Sequence, residues 1–136
     1  MLQFQKMDHA YDAYAKARNM NYLSLMVLEE IYELGDGCTQ KQISEDIHYP
    51  KQAVNLVVRT LLEEDLVELK ELPENRKNKG ITLTSRGRQR CRETVAPLLS
   101  RENRAMNRMS PEERQEMLRL LTRYAAAYCE EMARPE

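Results

Sequence analysis

The chain has no tryptophan, one phenylalanine and, among its 136 residues, only four glycines and five prolines. So few helix-breaking residues, alongside many Leu, Met, Ala, Glu and Arg residues, favour a mostly helical fold. The large apolar side chains are instead supplied mainly by eight methionines and seven tyrosines. With 42% hydrophobic and 32% charged residues, the composition is typical of a folded chain and excludes a disordered one.

Long hydrophobic runs are also missing. The run at residues 25–28, for example, is far too short to span a bilayer. Near the N-terminus, Lys6, Asp8 and His9 stand where a signal peptide needs an apolar core. We therefore expect a soluble, cytoplasmic protein with no membrane partner.

Cysteine and histidine are too few and too scattered to form a recognisable site. Cys38, Cys91 and Cys129 include no CxxC pair, so the sequence indicates neither a disulfide framework nor a zinc knuckle, and we expect buried, inert thiols. His9 and His48 lack the spacing of a metal-ligand pair. A phosphate-binding loop and a nucleophile motif are absent too. The sequence thus predicts no metal, no cofactor and no enzymatic activity.

Acidic residues are absent from one stretch, residues 75–92, which carries seven basic side chains. The whole chain is nearly balanced, with 21 Lys and Arg against 22 Asp and Glu, so the remainder is strongly acidic. A cationic segment within an acidic chain indicates a surface for a polyanion. A charged, solvated loop is the alternative interpretation.

Apolar periodicity predicts helices over residues 4–18, 22–34, 39–47, 50–64, from 84 or 85 through Pro97, and 111–132. Thr39 and Gln42 have the spacing of a capping box. Pro50 fits the first turn of the fourth helix. Two short strands, 66–72 and 81–84, flank a polar tip at 73–80. Because about three residues separate the third and fourth helices, the pair has helix-turn-helix spacing, and the hairpin after it is a wing.

The outward positions of the fourth helix carry amide and cationic side chains: Lys51, Gln52, Asn55 and Arg59. These side-chain types read base edges and grip phosphates in a major groove. An ordinary solvated helix face is the alternative. The tight turn before the helix and the hairpin after it favour DNA binding.

Further DNA contacts are expected from the wing and from the helices beside it. Arg76, Lys77 and Lys79 are placed at the wing tip, where they could follow the DNA backbone or enter the minor groove. Weaker candidates flank these elements: Thr39, Gln40, Arg86 and Arg88. Arg90 and Arg92 are expected to pair within the protein instead.

Four blocks resemble, in order and spacing, the MarR family of bacterial transcription regulators: residues 39–43, 50–55, 66–67 and 81–87. The last contains the LT-x-x-G sequence that closes the wing. The resemblance implies a winged helix-turn-helix homodimer on a pseudo-palindromic operator. It also implies repression or activation that is relieved by a small ligand or by oxidation. Some relatives sense oxidants through a cysteine in the first helix, where this chain has none.

Two departures from the family pattern concern the wing. The family's wing usually carries an Asp-x-Arg pair, whereas Asn75 and Lys77 stand at those positions with Arg76 between them. The sequence therefore does not decide whether Arg76 or Lys77 is the cation that enters the minor groove. A glycine commonly precedes the first wing strand, and here Asp65 stands in its place.

The predicted fold is mostly α (α+β), a winged helix-turn-helix with a two-stranded wing and terminal dimerisation helices. It forms one MarR-like domain over 1–136, with a DNA-binding lobe at 35–86 and helical dimerisation regions at 1–20 and 87–136. The terminal helices are more apolar than isolated arms should be, so we expect a second copy to cover them.

Three tyrosines near the junction of the first two helices are candidates for an effector pocket: Tyr11, Tyr14 and Tyr22. Aromatic rings with a polar tip suit a small aromatic or phenolic ligand, although core packing explains them equally well. The function expected overall is that of a homodimeric repressor that a small molecule releases from double-stranded DNA. The alternative is a winged-helix module for protein interaction.

Overall fold

The computed structural model describes residues 2–136, which form six helices and two strands. Their bounds are α1 Leu2–Lys16, α2 Tyr22–Leu34, α3 Gln40–Ile47, α4 Lys51–Glu63, β1 Val67–Leu72, β2 Asn75–Leu83, α5 Ser85–Met106 and α6 Pro111–Met132. This order confirms the predicted mostly α fold with a two-stranded wing. The chain divides into two compact units, Met1–Pro97 and Leu98–Glu136.

The first unit is built around one hydrophobic core. It draws side chains from α2, α3, α4, the wing and the segments just before α3 and β1: Val27, Ile31, Cys38, Ile43, Val54, Val57, Val58, Leu61, Leu66, Val67 and Ile81. In α4 the buried side chains recur every three or four residues, so they occupy one face of the helix. The opposite face is left for solvent or a ligand.

The helix-turn-helix is shaped by its caps. The Thr39 hydroxyl accepts from the Gln42 N–H at 3.2 Å, and the Gln42 side chain accepts from the Thr39 N–H at 2.9 Å, which confirms the predicted capping box. His48 ends α3 in the left-handed region, with φ 56°. Pro50 has extended backbone, with ψ 146°, and takes the capping position of α4. The prediction that Pro50 lies in the first turn was therefore wrong by one residue, because α4 begins at Lys51.

The second strand of the wing is longer, and the turn before it is shorter, than predicted. β1 and β2 are antiparallel, with Lys70 opposite Gly80 and Leu72 opposite Asn75. Residues 76–79 are thus accommodated opposite a single residue, which makes a bulge in β2. Only residues 73–74 form the turn. The predicted tip at 73–80 was wrong in extent because pairing to β1 draws a polar, non-alternating segment into the strand.

The LT-x-x-G sequence ties the end of α4 to the start of α5. The Thr84 hydroxyl donates to the Asp65 carbonyl at 2.6 Å and accepts from the Gly87 N–H at 2.9 Å. Asp65 adopts the left-handed conformation, with φ 59°, that glycine adopts more easily. A Cβ at Gly87 would lie 1.9 Å from the Leu66 carbonyl oxygen, so only glycine fits there. This block therefore fixes where the wing leaves the core.

The second unit contains α6 and the end of α5, which continues through Pro97. Ser110 and Glu113 form a capping box at the start of α6. No side chain of α6 is buried. Its exposed face includes large apolar side chains: Met117, Leu118, Leu120, Leu121, Tyr124, Tyr128 and Met132. Within residues 2–136, no helix combines the length and the apolar character that crossing a membrane requires.

Candidate nucleic-acid interface

The start of α3 is fixed to the returning strand of the wing. The Ile81 N–H donates to the Cys38 carbonyl at 2.7 Å, and the Gly37 N–H donates to the Ile81 carbonyl at 2.9 Å. Thr39, which follows directly, is only 7% exposed and caps α3. The first turn of α3 is therefore held in one place, and Thr39, a predicted DNA contact, is largely buried there.

The outward face of α4 carries the four predicted side chains in two different settings. Lys51, Gln52 and Arg59 are exposed. Asn55 is partly buried, and its Nδ2 donates to Oε1 of Gln40 at 3.1 Å. The predicted readers of DNA thus include one pair, Gln40 and Asn55, that is bonded across the turn between α3 and α4.

Leu56 is a surface residue that the sequence reasoning missed. It lies between Gln52 and Arg59 on the outward face of α4, and 64% of its surface is exposed. Only polar side chains were predicted as DNA contacts, so Leu56 was not among them, although its position four residues after Gln52 places it on the outward face. An apolar side chain at this place can contact the methyl group of a thymine.

The cationic side chains of the wing lie on β2 and not on the turn. Lys77 and Lys79 border the side of the wing that faces α3 and α4. Arg76 borders a separate depression, together with Glu71, Leu72 and Pro73. The structure therefore separates Arg76 from Lys77, the two residues between which the sequence could not choose.

A basic groove lies between the starts of α3 and α4 and the wing. Its volume is about 310 Å³, and it is lined by Gln40, Lys41, Lys51, Leu69, Lys77, Asn78 and Lys79. Four of these residues are lysines and none is acidic. Ammonium groups grouped in this way attract phosphates. Lys41 was not predicted as a contact, although its place beside Gln40 at the start of α3 was a usable signal.

The arginines at the start of α5 lie outside the basic groove. Arg88 forms an ion pair with Asp36, with 3.0 Å between Nη2 and Oδ2. Arg86 borders a different depression that also contains Glu64 and Glu93. These two weaker candidates therefore stand next to carboxylates, which reduce their attraction for a phosphate.

The next arginine along α5 pairs within the protein, as expected. The Arg90 guanidinium donates to the Arg18 carbonyl at 2.7 Å. Arg18 in turn stacks on the Tyr14 ring, with 3.4 Å from Cζ to the ring centroid. The buried Tyr14 hydroxyl donates to the Thr94 carbonyl at 2.7 Å. Tyr14 therefore packs the end of α1 against α5.

The other two tyrosines form a pair at the junction of α1 and α2. The ring centroids of Tyr11 and Tyr22 are 4.8 Å apart, with 56° between the ring planes. Tyr11 donates to Glu29 at 2.9 Å, and Tyr22 donates to Asp8 at 3.0 Å. Burial and the hydrogen bond to Asp8 raise the pKa of Tyr22 to about 12. Both hydroxyls thus act as donors to carboxylates.

A model of the MarR family matches residues 18–77, the segment from just after α1 into β2. A comparison with curated proteins finds no significant match. The matched segment contains α2, the helix-turn-helix, β1 and the first residues of β2. It therefore includes α4 and three of the four groove lysines.

Solved structures resemble the chain over nearly its whole length. NMB1585, a MarR family regulator from Neisseria meningitidis, is 22% identical, with 96% of this chain and 91% of that chain covered and a TM-score of 0.77. Staphylococcus aureus MepR in complex with DNA is 20% identical, with 93% of each chain covered and a TM-score of 0.73. S. aureus MarR in complex with salicylate and kanamycin is 17% identical, with 96% and 87% covered and a TM-score of 0.72. Residues 18–77 therefore match the model of the MarR family, and the chain has the winged-helix fold of these regulators.

Proposed function

We propose that the protein is a transcription regulator that binds double-stranded DNA as a homodimer. The observation that carries the proposal is the basic groove, in which four lysines lie beside the outward face of α4. Lysines neutralise phosphates and position the protein, while the polar side chains of α4 read base edges. The likeness to MepR, which has been solved in complex with DNA, supports this function.

The distribution of charge limits where DNA binds. The net charge is −1, yet residues 75–92 hold seven basic and no acidic side chains. The acidic remainder repels a polyanion, so productive contact has to come through the basic groove and the wing.

The homodimer rests on apolar surface that each unit leaves uncovered. In α1, Leu2, Phe4 and Met7 are 62%, 50% and 67% exposed. In α6, Leu118 and Met132 are 65% and 66% exposed. A second copy of the chain buries these side chains and places two α4 helices about 34 Å apart, in successive major grooves. A symmetric dimer of this kind requires a pseudo-palindromic operator.

We further propose that the regulator is a cytoplasmic repressor without catalytic activity, released by a small aromatic or phenolic effector. The tilted ring pair of Tyr11 and Tyr22 offers aromatic surface beside the carboxylates of Glu29 and Asp8. The S. aureus MarR structure with salicylate and kanamycin supports ligand binding on this fold. Release follows if the effector binds better to a dimer whose α4 helices have the wrong separation.

Selection of genomic fragments by the purified protein, followed by salt titration of binding, tests the proposal. We expect the logarithm of the association constant to fall linearly with the logarithm of salt concentration, and footprinting to show two protected half-sites about one helical turn apart. Small aromatic acids and phenols are then screened for release. If no fragment binds in a salt-dependent manner, the proposal is lost and a protein-interaction module becomes the better interpretation.

A further inference from the structure

The side-chain bond between Gln40 and Asn55 joins the two helices of the helix-turn-helix on the side of the basic groove. Asn55 Nδ2 donates to Gln40 Oε1 at 3.1 Å, across 15 residues of sequence. Gln40 is the first residue of α3 and borders the groove, whereas Asn55 lies on α4. Both side chains are only partly buried, so their remaining polar groups are accessible.

The backbone is held in place at both residues that form this bond. The capping box of Thr39 and Gln42 sets the first turn of α3, from which Gln40 projects. Asn55 follows the fully buried Val54, which holds α4 against the core. The position of the Asn55 amide therefore depends on the side chain of Gln40 more than on movement of either helix.

The bond also selects one orientation of the Asn55 amide. An asparagine side chain has two N–H donors and one carbonyl acceptor. Because one N–H is given to the oxygen of Gln40, the second N–H and Oδ1 remain for another partner. A donor beside an acceptor matches the major-groove edge of adenine, which offers N7 as an acceptor and the N6 amino group as a donor.

We propose that Asn55 contacts an adenine and that Gln40 is its positioning residue, whose side-chain oxygen holds the Asn55 amide in the orientation that reads this base. The inference rests on the proposed function and assigns a separate role to each residue: Asn55 contacts the base, and Gln40 orients Asn55. Gln40 acts through Asn55, so its removal changes the discrimination between bases at the position that Asn55 reads.

The test compares base preference with overall affinity. Binding to a selected operator and to single-base-pair variants of it is measured for wild type, Gln40→Ala, Asn55→Ala and the double variant. Asn55→Ala is expected to lower the preference for adenine at one base pair by roughly 5- to 150-fold. Gln40→Ala is expected to lower it at the same base pair, and the double variant to lose no more than Asn55→Ala alone, because the two residues act as a unit.

Two further variants separate positioning from simple phosphate contact. Gln40→Glu keeps an acceptor oxygen, so it should retain the base preference within about twofold while its charge weakens binding to all sequences. Lys41→Ala, the neighbour on α3, should weaken binding to all sequences and leave the preference unchanged. Urea unfolding of each variant confirms that it folds.

The outcomes separate the two proposals. If Gln40→Ala weakens binding equally to every sequence and leaves the preference at the Asn55 position intact, the positioning role is overturned while the regulator proposal stands. If Gln40→Glu loses the preference as fully as Gln40→Ala does, the role of the acceptor oxygen is likewise overturned. Absence of salt-dependent binding by the wild-type protein overturns both.

Discussion

At the scale of single residues, Gly87 is the glycine at which an added Cβ would lie closest to another atom. The Leu66 carbonyl oxygen occupies the space where a Cβ would stand, so Gly87→Ala must displace backbone at the junction of β1 and α5. We expect a loss of roughly 1–3 kcal/mol in the free energy of unfolding, as overpacked sites show. Urea denaturation measures it, with the exposed Ser85→Ala as a control within about 0.5 kcal/mol of wild type. An unchanged midpoint for Gly87→Ala would contradict the close approach.

A second prediction at the scale of residues concerns two buried thiols and the stability of the protein at alkaline pH. Burial raises the pKa of Cys38 and of Cys91 from 9.0 to about 11. The folded chain therefore holds these protons more tightly than the unfolded chain, and the associated stability is complete below pH 9 and lost as pH rises through 11. Urea unfolding at several pH values should show the stability advantage of wild type over the Cys38→Ala, Cys91→Ala double variant shrinking across this window. A constant difference would mean that the thiols do not titrate with these pKa values.

At the scale of elements, a structural feature could be predicted from the sequence when the residues that form it are close together along the chain. The capping box at Thr39 was predictable because it rests on two residues that are three apart. The extent of β2 was not predictable, because it depends on pairing with β1. The pairing of Leu72 with Asn75, for example, has no local sequence pattern. The bond between Gln40 and Asn55 spans 15 residues and has no local pattern. Side-chain types on α4 were therefore predictable, whereas their partners were not.

The exposed apolar face of α6 carries an element-scale prediction about assembly. Leu118→Glu places a carboxylate where a second copy is proposed to pack, so the dimer dissociation constant should rise roughly tenfold or more, because burying an unpaired charge is costly. Sedimentation equilibrium measures the change. Ala126→Glu adds the same charge to the polar side of the same helix and should leave the dimer intact. Equal behaviour of the two variants would place the dimer interface elsewhere.

At the scale of the whole molecule, an almost neutral chain presents one strongly cationic face. The balance of 21 basic and 22 acidic residues hides this asymmetry, which becomes clear only when the fold brings lysines from α3, α4 and β2 into one groove. The sequence located the basic segment, but it placed all three wing cations together at the tip. Folding separates them, since Lys77 and Lys79 line the groove beside α3 and α4 whereas Arg76 borders another depression.

The salt dependence of DNA binding by Lys77→Ala tests the central claim, that the basic groove holds DNA phosphates, most directly. Lys77 lines the groove, so its loss should weaken binding to all sequences and reduce the slope of log affinity against log salt by about one. Arg88→Ala is the matched control, because Arg88 is paired with Asp36 outside the groove and should leave the slope unchanged. The account is contradicted if the slope falls for Arg88→Ala and stays at its wild-type value for Lys77→Ala.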